Sequence, residues 1–207
     1  SDLRLLWLKP GSRIPRKVGL VGFDFSNGML LLREAASKKR ASLHFVRGRA
    51  ALEEHDRGGL EPLEASLEDF TDVLRCENHT LNRSLTDPRL LSGIGNAYSD
   101  EILHHARLSP LKLTSRLDDQ EIRTLHASMV EVLREWIERL RNETGADFPK
   151  KVTAFRPEMS VHGRYREPCP RCGSAVQRIL YAQNECNYCA QCQNDGRLLA
   201  DRAMSRL

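Results

Sequence analysis

Cys169, Cys172, Cys189 and Cys192 stand as two C-x-x-C pairs separated by sixteen residues in a chain of 207. A C-x-x-C pair turns the backbone so that two thiolates face one point. Two such pairs closed by a hairpin supply the four sulfurs of a tetrahedral structural zinc site. Disulfides or free buried thiols are the competing readings, but no signal peptide, membrane-spanning run or secretory composition accompanies these cysteines, so a metal is expected. Four ligands leave no open coordination position. One Zn2+ is therefore expected to be structural, holding a ribbon too short to bury its own core. Cys186 lies three residues before Cys189 and would break the symmetry of the pairs; it and Cys76 are read as non-ligands.

A second segment with chemical potential is Gly93, Ile94, Gly95 and Asn96, placed just before an apolar, helix-forming run. A helix is expected to end near Thr86-Asp87-Pro88 and another to begin around Asn96, which puts both glycines at a helix N-terminus. The unpaired amides there favour negative charge, the missing side chains let a phosphate approach, and Asn96 offers either a cap or an amide donor. A structural tight turn and a phosphate cradle fit these residues equally well. Glu101, nearby, is read as a support for the turn through hydrogen bonds, without a catalytic role.

These segments need elements to carry them. Residues 3–8, 19–25, 29–32 and 43–46 alternate apolar and polar side chains and predict strands, with Pro10-Gly11 and Ser26-Asn27-Gly28 as turns. From Ser66 the period becomes helical. Leu67, Phe70, Val73 and Leu74 form one stripe behind an N-cap at Ser66. Ile122, Leu125, Met129, Val132, Leu133, Trp136, Ile137 and Leu140 form a longer one. Both stripes read as core. The expected fold class is α+β, with a small antiparallel sheet within 1–60, a helical region at 61–150, and a linker plus four-cysteine zinc ribbon at 151–207.

The composition is that of a folded protein, 40% apolar with a formal charge of +4. Basic residues cluster at Lys38, Lys39 and Arg40 and at Arg164, Arg166 and Arg171. Such clusters serve as solvated faces or as nucleic-acid contacts.

Three runs together carry a family resemblance. Gly93-Ile94-Gly95-Asn96-Ala97-Tyr98-Ser99-Asp100-Glu101, then Val161-His162-Gly163-Arg164, then Pro168-Cys169-Pro170-Arg171-Cys172-Gly173 with Cys189-Ala190-Gln191-Cys192-Gln193 resemble the formamidopyrimidine-DNA glycosylase and endonuclease VIII family in order and spacing. The resemblance is clear over 66–197 and looser in the N-terminal strands. It implies that 1–60 is a remnant of an N-terminal antiparallel β-sandwich, 61–150 a helical helix-two-turn-helix DNA-binding domain and 151–207 a linker and zinc ribbon, in a monomeric, cytoplasmic, nucleoid-associated bacterial protein. The implied activity is base-excision repair on double-stranded DNA containing damaged bases or abasic sites. A bifunctional glycosylase and AP lyase would flip the base out, cut its glycosidic bond and cleave the strand, because a stacked base is out of reach of chemistry. Carried over by motif, Gly93, Ile94, Gly95 and Asn96 would hold backbone phosphates, with Arg164 and the hairpin residue Asn184 as further contacts.

Three departures from that family are expected to matter. Its members use an N-terminal Pro-Glu, the proline amine forming a Schiff base, whereas this sequence opens Ser1-Asp2-Leu3; the expectation is a DNA-binding portion of a longer enzyme with no catalytic residue of its own. Asn184 stands where relatives carry an arginine, so a neutral amide replaces a cation. In the loop that would fill the gap left by a flipped base, Lys39 and Arg40 stand without an aromatic. A non-catalytic reader of damaged or abasic DNA is the alternative function.

Overall fold

The computed structural model describes residues 3–36, 41–149, 153–181 and 184–199. The chain divides into two compact units, Ser1–Glu54 with Arg139–Thr153, and His55–Glu138 with Ala154–Leu207.

In the first unit, β1 (Leu3–Leu8), β2 (Gly19–Phe25) and β3 (Gly28–Glu34) form an antiparallel sheet in the order β1-β3-β2. Alternation assigns the faces. Leu6 and Leu8 pair with Leu31 and Met29, and the last two are buried; Leu3, Leu5 and Trp7 point the other way and stay exposed, as does Phe25. Gly28 is required where β2 turns into β3, because a Cβ there would collide with the Trp7 ring. Trp7 also stacks on Phe25 and Phe148, with centroids 5.7 and 6.2 Å apart. The strand expected at 43–46 is not formed. Its residues alternate in polarity, but among the described residues no strand pairs with their backbone, and Phe45 is 82% exposed.

The second unit is built on α1 (Leu67–Cys76), α2 (Leu81–Thr86), α3 (Asn96–Ala106) and α4 (Asp119–Thr144). Ser66 caps α1 by accepting from the Asp69 amide at 3.1 Å. Asp118 and Glu121 form a reciprocal capping box at the start of α4. α4 is longer than its apolar stripe, and its residues from Arg139 on are counted with the first unit. Phe70, Leu74, Leu81, Leu85, Ile102, Leu103, Leu125 and Met129 interlock at 0–1% exposure as the core between these helices. α3 is buried on nearly all sides, and ends at Arg107 in the left-handed region, φ 58°. The Leu108 amide then bonds back to the Leu103 carbonyl.

The ribbon is the hairpin β4 (Gln177–Tyr181) and β5 (Asn184–Tyr188), followed by one helical turn, α5 (Ala190–Gln193). β5 packs directly on α3. Ribbon and helices therefore belong to one unit. Among the described residues no helix is long and apolar enough to cross a membrane.

Candidate functional site

Cys169, Cys172, Cys189 and Cys192 converge with all four sulfurs within 4.8 Å of one another. The Cys169–Cys192 and Cys172–Cys189 separations are 3.9 and 3.4 Å. Four sulfurs about 2.3 Å from a central zinc would stand about 3.8 Å apart, so the cluster fits a tetrahedral ion. The first knuckle is shaped by Gly173 at φ 76°, with the Gly173 amide bonded to the Cys169 carbonyl. Bonds from Ser174 hold the Cys172 thiol down at about 6, whereas burial pushes the Cys189 and Cys192 thiols up. His104 from α3 brings Nε2 to 3.3 Å from the Cys169 sulfur; burial and nearby Arg171 hold it down at about 4, hence neutral. Arg171 donates to the His104 carbonyl at 2.8 Å, fastening the first knuckle to the C-terminal end of α3. Cys186 stays outside the cluster. It is buried beside Asp100, and both burial and that carboxylate push its thiol up, so it is held protonated. Cys76 is exposed on α1.

At the other end of α3, Gly95 is the N-cap and no side chain caps the helix. Asn96 is thus the first helical residue, and its carboxamide does not serve as the cap that its position suggested. α1 and α4 begin with acidic residues and capped amides, whereas the first turn of α3 holds no acid. Gly93 is left-handed at φ 74°, which a residue with a Cβ adopts only under strain. Gly95 is different: its φ of −101° suits any residue, and a Cβ there meets nothing within 4 Å. The space before the helix is open, and the amides of its first turn lack intrahelical acceptors.

The hairpin lies next to this end. A cavity of about 380 Å³ is lined by Asn82, Arg83, Thr86 and Asn96 from the helices and by Glu185 and Cys186 from β5. Two of the expected contact residues, Lys39 and Arg40, lie outside the described residues, as does the side chain of Asn184. Arg164 is described and internally engaged: Nε donates to Glu167 at 2.8 Å, and a terminal nitrogen reaches the Met159 carbonyl at 3.0 Å and that of Pro157 at 3.3 Å.

Sequence reasoning missed the acids that join these parts. Glu101 does not bond to the glycine turn. Its carboxylate accepts the amides of Ser160, Val161 and His162 at 2.7, 2.9 and 3.0 Å. Asp100 accepts the Asn187 amide of β5 at 2.9 Å and pairs with His162 Nδ1 at 2.8 Å. The Asn187 side chain in turn accepts from the Gly163 amide at 2.7 Å. Two adjacent acids in a helix buried on most sides were the available signal, since burying them requires partners.

The family model for the formamidopyrimidine-DNA glycosylase H2TH domain matches residues 59–147. An uncharacterized formamidopyrimidine-DNA glycosylase-like protein of Mycobacterium tuberculosis is 36% identical over 149 residues, which are 72% of this chain and 92% of that one. The formamidopyrimidine-DNA glycosylase of Heliobacterium modesticaldum is 32% identical over 201 residues, covering 92% of this chain and 71% of the relative. In fold, the chain resembles Lactococcus lactis Fpg, solved in complex with abasic-site DNA. The TM-score is 0.71 at 22% identity, over 93% of this chain and 72% of that one. Matched by the family model over 59–147 and along most of the length of two relatives, the chain belongs to the formamidopyrimidine-DNA glycosylase family.

Proposed function

We propose that this chain is the DNA-gripping part of a base-excision repair enzyme, a glycosylase with AP lyase activity on oxidised or ring-opened bases. The observation that carries the reading is the glycine-led, uncapped and acid-free start of α3, which lines one cavity with the ribbon hairpin. Gly93, Ile94, Gly95 and Asn96 present backbone amides, and the Asn96 carboxamide a further donor, to phosphates of the damaged strand. The hairpin meets the same strand, with Asn184 giving a hydrogen bond where an arginine would add charge. Arg164 acts mainly through Glu167 and the carbonyls of Pro157 and Met159, which fix the segment leading into the first knuckle. Lys39 and Arg40 are the candidates to fill the space vacated by an extruded base.

Cys169, Cys172, Cys189 and Cys192 hold one Zn2+. Bound there with four sulfurs, the ion supplies cross-linking of two knuckles rather than chemistry on DNA. No residue of this chain is assigned the nucleophile. In the family, as the resemblance implies, that role falls to an N-terminal proline amine, which forms a Schiff base to the sugar.

A second reading is supported by the Mycobacterium tuberculosis relative, in which 149 aligned residues make up 92% of the protein. On this reading the chain recognises distorted or abasic DNA without cutting it. Borohydride trapping on a duplex with one abasic site tests what the two readings share, DNA binding without a nucleophile in this chain. The proposed roles predict a mobility shift without a covalent adduct for the 207-residue chain. An adduct would place a reactive amine within it.

A further inference from the structure

Asp100 and Glu101 follow the glycine turn within α3, and they are 0% and 6% exposed. Burying two neighbouring carboxylates is costly, and core packing alone is served as well by apolar residues. What the pair achieves is placement. Glu101 fills a ring of three successive amides, an anion-binding nest satisfied from within the chain. Asp100 holds β5 by the Asn187 amide and orients His162, whose ring also stacks on Phe155 at 5.6 Å. With Gly163 bonded to Asn187, the amides of residues 160–163 are all spoken for inside the protein.

We propose that Asp100 and Glu101 are positioning residues for DNA binding, fixing the hairpin and the 160–163 segment relative to the start of α3. The two phosphate-facing elements then meet one strand as a single preorganised surface. The helix that offers its N-terminal amides is the same helix that carries both acids, so any change in their bonding shifts the hairpin against the turn. This inference rests on the DNA-binding reading above.

The test uses the whole chain and the isosteric variants Glu101→Gln and Asp100→Asn. In E101Q the side-chain NH2 replaces one acceptor and faces an N–H donor. Zinc content, thermal midpoint, amide exchange at residues 160–162 and affinity for an abasic duplex across a salt series are measured together. The expected result is retained zinc, lost exchange protection and binding about tenfold weaker or more. The slope of log affinity against log salt should also fall by about 0.9, one phosphate fewer. A purely structural role would lower the thermal midpoint and leave that slope unchanged well below it. If E101Q does not fold, D100N carries the same affinity and slope readouts. Wild-type binding with both variants within about twofold and of unchanged slope would overturn the positioning role alone. Absence of wild-type binding would overturn the DNA reading and this inference with it.

Discussion

Gly95→Ala separates a phosphate-binding amide turn from a merely structural one. The backbone at Gly95 (φ −101°, ψ 177°) is ordinary extended geometry, and the added methyl meets nothing within 4 Å. Alanine is a poorer N-cap than glycine by up to about 1 kcal/mol, while the stiffer unfolded chain returns about 0.4–1 kcal/mol. The two terms nearly cancel, and for a chain of this size the melting temperature should move by no more than about 2–4 °C. The same methyl occupies the space through which a phosphate reaches the first-turn amides. Losing one hydrogen bond to a charged group costs about 1.5–3 kcal/mol, or about ten- to a hundredfold in affinity. Fluorescence anisotropy on a labelled duplex with one abasic site, at fixed salt, reads the second effect; a thermal melt reads the first. Gly93→Ala serves as the contrast, since its left-handed φ of 74° adds about 1–2 kcal/mol of strain and should depress both readings. A G95A protein that melts normally and binds DNA as tightly as the parent would refute the assignment of these amides to phosphate.

Further outcomes follow from the same structure. Atomic absorption should find one zinc per chain; Cys172→Ser should lose it and unfold the ribbon, whereas Cys186→Ser should keep it, because Cys186 lies outside the sulfur cluster. Leu103→Ala, at 0% exposure in the helical core, should cost about 2–5 kcal/mol in a denaturant titration while leaving zinc content intact. The Asp87 carboxylate, held down at about 2 chiefly by its bond from Arg89, is a depressed acid. Its contribution is therefore present above the unfolded value near 3.8 and lost as pH falls through about 2. Acid melts of Arg89→Ala should show a shallower loss between those limits.

Local signals were legible wherever residue type and local geometry coincide. The bounds of β1 and β2, the Ser66 cap, and the start of α3 at Asn96 all depend on residues within a few positions of one another. The four-cysteine cluster was legible for another reason: thiol spacing has few uses inside a folded chain. The run at 43–46 misled because alternation reports a half-buried face, not the presence of a partner strand. Asn96 was expected as a cap or an amide donor, but one residue of offset gives the cap to Gly95. The acid links were hidden by distance. Glu101 meets amides about sixty residues away, and Asp100 meets one 87 away, so nothing local in the sequence marks either bond. Arg164 is a different case, with partners close in sequence. Its charge suggested phosphate, and its Nε and one terminal nitrogen are bonded to Glu167 and two carbonyls within seven residues.

In the proposed reading, the start of α3 and the ribbon hairpin together grip the backbone of damaged DNA. The affinity of the intact chain for a duplex with one abasic site, against the undamaged duplex, from about 50 to 200 mM salt, decides it. A shared grip requires tighter binding to the abasic duplex and a log–log slope steeper than about −1.8, the value for two phosphates. Equal affinity for both duplexes with a slope near zero would contradict it.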